Sequence, residues 1–244
     1  MGEYLTISTL PSKAMAVRKR SSAMTPTEKN TFRRVLRRLI KSAGDPNEYG
    51  IMVEHHSNMM HNMHGSMGLV GEQRFLPWHR VYLLKLEQMG QAIDSAFFIP
   101  YWDWTTERRI PTWLKSFRPR VKVTGPNIPI VRNPGPGSQL PSPSQINSIL
   151  GRSTFTQFTR SLEQGPHNFV HVWFNGTMSD LRTAPADALF WLHHANIDRI
   201  WSIWQGSHSG LNPSLSGTDQ TIDPWPETEQ QVRSISSLGY SYGA

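Results

Sequence analysis

The pattern of apolar and polar positions predicts a mainly helical chain. Phe32, Val35, Leu36 and Leu39 recur at helical spacing, and Arg33, Arg34, Arg37 and Arg38 take the opposite side. Thr25-Pro26-Thr27-Glu28 supplies the start: a capping hydroxyl, a proline suited to the first helical position and a glutamate that completes a capping box. Gly44-Asp45-Pro46 ends this helix. A second helix is expected over 48–63, then a loop marked by Gly65, Gly68 and Gly71. Order restarts at Phe75-Leu76-Pro77-Trp78, with Pro77 in the first turn of a helix that runs from His79 to Ile93 and carries Leu83, Leu86 and Met89 in register. Residues 97–104 (FFIPYWDW) are too short and too proline-interrupted for a helix and read as an ordered, partly buried segment. Residues 105–145 are rich in Pro, Gly and Arg, and 120–123 and 128–131 suggest a small ribbon within that loop. Short helices are expected over 145–150 and 154–162, and a longer one over 185–205, whose apolar face includes Leu189, Leu192, Ile197 and Ile200. The tail from Ser207 is turn-rich and no internal repeat is evident, so residues 1–244 are expected to form one mainly α domain.

Composition narrows the chemistry. The chain has no Cys, which excludes disulfides, thiolate zinc sites, iron–sulfur clusters and cysteine nucleophiles. A transition metal would have to be held by His, carboxylate or Met. Of the ten His, five lie between 55 and 79 and four between 167 and 194. The net charge of +7 gathers in two runs, Arg18–Arg38 and Arg108–Arg132, which read as solvated basic faces without a nucleic-acid motif. The N-terminus lacks the apolar run of a secretory signal and no stretch is long enough for a membrane span. A cytoplasmic protein is therefore expected, with partner-assisted export left open.

Four constellations carry the chemistry. In His167-Asn168-Phe169-Val170-His171 the two imidazoles are at i and i+4, on one helical face about 6 Å apart, close enough to share a metal. In Phe190–Trp201 an apolar helix bears His193 and His194; successive residues diverge by about 100°, so one is a ligand candidate and the other a packing residue. Asp198 shares a face with His194 and is expected to partner it. The third is Trp78-His79-Arg80 with Glu87. The fourth is the cluster His55, His56, His61 and His64, set among Met52, Met59, Met60, Met63 and Met67. Together they suggest two imidazole sites built from helix pairs, suited to copper or zinc.

FLPWHRVYLLKLE, PYWDW, HNFVH and FWLHHANIDRIW, in this order, closely resemble the copper signatures of the tyrosinase family, which includes tyrosinases, catechol oxidases and o-aminophenol oxidases. Leu238-Gly239-Tyr240-Ser241-Tyr242 resembles the aromatic motif that closes the family's catalytic domain, so the likeness covers most of the chain. The resemblance implies a four-helix bundle core housing two copper ions, with O2 as co-substrate and a small phenol as substrate. It leaves room for a copper-delivery partner and is silent on oligomeric state.

By the same likeness His79, His56 and His64 correspond to the ligands of the first copper. His56 is preferred to His55 because Tyr49 and Val53 fit the family's helix. The usual position of the middle ligand is Val70, which cannot bind copper, so His64 implies a glycine-rich insertion in the ligand loop, with His61 as the alternative. His167, His171 and His194 correspond to the ligands of the second copper. Glu163 and Asn168 match residues thought to hold a water that deprotonates the incoming phenol. Without Cys the chain cannot form the thioether cross-link some relatives make to a copper ligand, which aligns it with the bacterial-like form. The expected reaction is hydroxylation of monophenols, oxidation of o-diphenols to o-quinones, or both. The alternatives are an o-aminophenol oxidase, favoured if the basic loop over 108–132 selects carboxylated aromatics, a haemocyanin-like oxygen carrier, and a zinc hydrolase.

Overall fold

The computed structural model describes residues 15–243. Much of the N-terminal segment read for a secretory signal lies outside that range. Helix α1 spans Pro26–Ile40, and its capping box is formed in full: the Thr25 hydroxyl accepts from the Glu28 amide while the Glu28 carboxylate accepts from the Thr25 amide. Helices α2 (Glu48–Ser57), α3 (Leu69–Ile93), α4 (Pro143–Leu150), α5 (Phe155–Leu162), α6 (Asn168–Phe174) and α7 (Ala188–Ser207) follow. The expected mainly α bundle core is found, with α2, α3, α6 and α7 carrying His56, His79, His171, His193 and His194. Long irregular segments lie between the helices, and among the described residues no helix is long and apolar enough to cross a membrane.

Two helix boundaries differ from the sequence reading. Helix α2 stops at Ser57 rather than near 63, because the Asn58 side chain accepts from the Met60 amide and starts a separate turn over Met59–His61. Asn62 then sits in the left-handed region (φ 50°), which asparagine tolerates. Helix α3 begins at Leu69, so Pro77 lies inside it, not in its first turn. An interior proline loses one helical hydrogen bond and costs about 3 kcal/mol. The helix survives because it is enclosed on nearly all sides: Phe75, Trp78, Val81, Tyr82, Leu83 and Leu86 are fully buried.

The aromatic segment 97–104 is buried as expected, and its backbone is tied to α7 by the Trp102 amide donating to the Leu192 carbonyl at 3.1 Å. The ribbon in the following loop shrinks to one antiparallel bridge, Val121 with Ile128. The basic runs are only partly a solvated face. Arg132 is buried and forms a two-bond pair with Asp187, which also caps α7. Arg108 donates to the carbonyls of Trp104, Ser138, Leu140 and Pro141. In both places guanidinium satisfies loop carbonyls that no helix or strand could.

The first and last described segments meet in a short parallel ribbon, β1 (Ala16–Arg18) with β2 (Tyr240–Tyr242). Behind it lies a buried ionic cluster. Arg18 pairs with Glu87 and Asp198, Arg80 pairs with Asp198, and the hydroxyls of Tyr240 and Tyr242 donate to Asp198 Oδ2. Asp198 was expected to partner His194; the structure gives it to these four groups instead, because two buried guanidiniums require a counter-charge more than a neutral imidazole does.

Candidate metal centre

The first group of imidazoles is assembled from three places. Helix α2 supplies His56, the glycine-bounded loop supplies His64, and the middle of α3 supplies His79; their donor nitrogens all lie within 4.8 Å of one another. The second group is His167, at the cap of α6, His171 one turn on, and His193 and His194 of α7, again within 4.8 Å. The wide turn Glu163–His167, kinked at Gly165, aims His167 inward from the end of α5. The groups abut: the rings of His79 and His194 stack with centroids 4.4 Å apart.

Hydrogen bonds on the outer nitrogens set the tautomers. Nδ1 of His56 donates to the Leu181 carbonyl at 2.9 Å, that of His79 to Phe75 at 2.7 Å, and that of His171 to Met178 at 2.7 Å. A carbonyl only accepts, so each proton is on Nδ1 and each Nε2 presents a lone pair. His64 Nδ1 is 3.0 Å from the Glu163 carboxylate and His167 Nδ1 is 2.9 Å from Asn168 Oδ1, which has the same consequence. Nε2 of His79 and of His167 is buried without a partner. His56 Nε2 faces His64 Nε2 at 3.5 Å and His171 Nε2 faces His194 Nε2 at 3.2 Å. Lone pairs set against lone pairs in a buried site call for a cation between them. Burial, and after it the neighbouring imidazoles, hold the pKa of His56, His79, His167 and His194 well below 6.5; burial pushes His171 down to about 4. These rings are neutral at pH 7, the protonation state a metal requires.

His193 is of the other kind. Trp104 Nε1 donates to its Nδ1 at 3.1 Å, so its proton is on Nε2 and no lone pair faces the site. Trp104 belongs to the PYWDW segment, to which the sequence reading gave no individual role. His61 is apart from the first group, with Nδ1 hydrogen-bonded to Asp223 and Nε2 beside the Asn58 amide. His55 packs on His61 and Trp225. Glu163 is buried; besides His64 it accepts from the Gly65 amide. The carbonyls of Leu181, Phe75 and Met178 were invisible to sequence reading because every residue has one.

A cavity of about 490 Å³ opens beside the imidazoles, lined by His56, His64, Glu163, His167, Asn168 and His171, and reaches solvent at Ser66 and Val172. A family model described as the common central domain of tyrosinase matches residues 46–134 and 127–207. This chain belongs to the tyrosinase family. The tyrosinase of Streptomyces antibioticus is 30% identical over 88% of this chain and 94% of its own length. Among solved structures, a functional unit of octopus hemocyanin superposes with TM-score 0.76 at 25% identity, over 94% of this chain and 68% of that one. The Grenache (Vitis vinifera) polyphenol oxidase superposes with TM-score 0.76 at 20% identity, over 97% and 87%. As a family member the protein is a copper-dependent oxidoreductase acting on phenols with O2. The donor set fits two copper ions: among the described residues both groups consist of imidazoles alone, and Nε2 of His79 and of His167 is buried without a partner.

The loop that carries His64 depends on a glycine. A Cβ at Gly71, in the first turn of α3, would overlap the His64 carbonyl oxygen. Gly71→Ala is therefore expected to push the His64 backbone off station and weaken copper binding at the first site about 10- to 100-fold, as read by copper titration. Undiminished affinity for both ions would show that His64 is not so positioned.

Proposed function

We propose that His56, His64 and His79 hold one copper, that His167, His171 and His194 hold the other, and that the enzyme hydroxylates monophenols as well as oxidising o-diphenols. The carrying observation is the pairing of two three-imidazole groups, with Nδ1 protons anchored outward on five of the six rings, beside an open cavity. Bound copper supplies the electron transfer with O2. The chain's own task is to orient the ring and take its proton: a phenol has a pKa near 10 and must lose that proton to approach a metal as phenolate. Glu163 and Asn168 line the cavity where the hydroxyl would enter. The Asn168 oxygen is committed to His167, which leaves its NH2 free to hold a water whose other partner is the Glu163 carboxylate. An opening that admits a phenol favours an oxidase over a haemocyanin-like carrier. The arginines over 108–132 that could have favoured carboxylated aromatics, and with them an o-aminophenol oxidase, are weakened as an argument, since Arg108 and Arg132 are committed elsewhere.

Oxygen uptake by the copper-loaded protein with tyramine, catechol and o-aminophenol tests the reading. Uptake with the first two is expected; zinc in place of copper after metal loading would overturn it. Asn168→Ala is expected to lower the monophenol-to-diphenol rate ratio about 10- to 100-fold, less than the roughly 10²–10⁴-fold of a lost general base because Asn168 holds the water and does not itself take the proton. An unchanged ratio would remove Asn168 from the mechanism.

A further inference from the structure

A second cavity of about 690 Å³ adjoins the first, and Gln164, Asn168 and Val172 stand in the walls of both. A phenol ring fits within the first, so the second is not needed for a small substrate. Its walls are of a definite kind. Phe169 and Val172 form an apolar shelf at its edge, both among the exposed large hydrophobic residues. Gln145, Ser148, Ser161 and Gln164 supply side-chain amides and hydroxyls. One charged residue lines it: Arg152, just past the end of α4.

Arg152 is anchored at its base and free at its tip. Its carbonyl accepts from Trp204 Nε1 at 2.9 Å and its amide donates to the Ile149 carbonyl at 3.1 Å. Its guanidinium forms no hydrogen bond or ion pair among the described residues, in contrast to Arg18, Arg80, Arg108, Arg132 and Arg160. An exposed, unengaged guanidinium in a cleft that adjoins the site cavity, with no carboxylate lining that cleft among the described residues, is complementary to an anion.

We propose that the second cavity holds the chain attached to the phenol, and that the substrate class is tyrosyl residues in acidic peptides: the ring enters the site cavity, the peptide backbone lies along the Gln and Ser wall, and a carboxylate meets Arg152. This rests on the phenol-oxidase reading. The reaction on the ring is unchanged: one O2 accepts four electrons, one oxygen atom enters the ring carbon beside the hydroxyl, the other leaves as water, and the tyrosyl becomes an o-quinone. A peptide suits the lining because each residue brings one donor and one acceptor, which side-chain amides match.

Turnover of the C-terminally amidated peptides N-acetyl-Tyr-Gly-Glu-NH2 and N-acetyl-Tyr-Gly-Lys-NH2, and of N-acetyltyrosine amide, by the copper-loaded enzyme tests this. The glutamate peptide is expected to exceed the lysine peptide in kcat/KM by about three- to fivefold, the scale of one solvent-screened ion pair, with the difference in KM. Arg152→Ala should bring the two peptides level and Arg152→Glu should reverse their order. Calorimetric binding of N-acetyl-Phe-Gly-Glu, which cannot react, should weaken in both variants. If all three substrates are oxidised with equal kcat/KM, or if Arg152→Glu keeps the wild-type order, the inference is overturned while the phenol-oxidase reading stands. If no phenol of any length is oxidised, the functional reading fails, and this proposal with it.

Discussion

Replacing His64 by alanine is expected to leave about one copper per chain and to lower phenol oxidation at least about a thousandfold, whereas His61→Ala should keep both ions. The two histidines stand three residues apart in a run rich in Met and His, and spacing alone does not choose between them. Geometry separates them. His64 Nε2 is 3.5 Å from His56 Nε2, and its other nitrogen is anchored on Glu163. His61 spends both nitrogens outside the group, on Asp223 and Asn58. Removing one imidazole of three leaves an ion with too few donors to be held between two buried rings, and the coupled chemistry of two ions with O2 cannot proceed on one. A thousandfold corresponds to about 4 kcal/mol of transition-state stabilisation, within the several kcal/mol that a catalytic metal supplies. Copper analysis and oxygen uptake on both variants decide the matter. Two retained coppers in the His64 variant, with loss of one in the His61 variant, would reverse the assignment.

That ambiguity shows where sequence reading stops. The capped start of α1 and the apolar faces of α3 and α7 were legible because they rest on local periodicity and capping chemistry, which a chain displays wherever it folds. So was the division of the histidines into two groups. The start of α3 was not, since a proline and three glycines give strong local signals for a break, and only burial on nearly every side of the helix overrides them. The role of Asp198 was misread for a related reason. Helical spacing put it near His194, but Arg18 and Arg80, 180 and 118 residues away in sequence, claim it. The preference for His194 over His193 came from the resemblance; the Trp104 hydrogen bond that fixes the His193 tautomer spans 89 residues and shows in no local pattern. Charge was misleading in the same way. A run of arginines reads as a wet face, yet Arg18 and Arg132 are buried, because a buried carboxylate somewhere else in the chain requires each of them.

Asp198→Ala is the substitution expected to damage the fold most. The carboxylate lies beneath the β1–β2 ribbon, accepting from Arg80 Nε at 2.6 Å, from Arg18 Nη1 at 3.4 Å, and from the hydroxyls of Tyr240 and Tyr242 at 2.7 and 2.6 Å. Both guanidiniums are fully buried, and each also lies over an aromatic ring, Arg18 over Tyr240 and Arg80 over Trp201. Deleting the anion leaves Arg80 with carbonyl and amide acceptors only, and Arg18 with Glu87 and the Tyr242 hydroxyl. Breaking a buried pair in this way costs about 3–5 kcal/mol, because the charge left behind remains desolvated. For a chain of this size that is on the order of 10 °C in Tm. Asp198→Asn keeps the shape and should lose less. The two forms also differ with pH. Burial alone would raise the Asp198 pKa, but Arg80, Arg18 and the two tyrosine hydroxyls outweigh it and hold it below the ordinary value. A carboxylate held low in the folded state stabilises above its unfolded pKa of about 3.9, and that contribution is lost as pH falls through the folded value. The stability gap between wild type and Asp198→Asn should therefore be full above about pH 5 and narrow as the pH drops below about 4. Thermal melts across this range measure it. A gap that stays constant into acid would mean that the carboxylate's charge is not what holds the β1–β2 ribbon to α7.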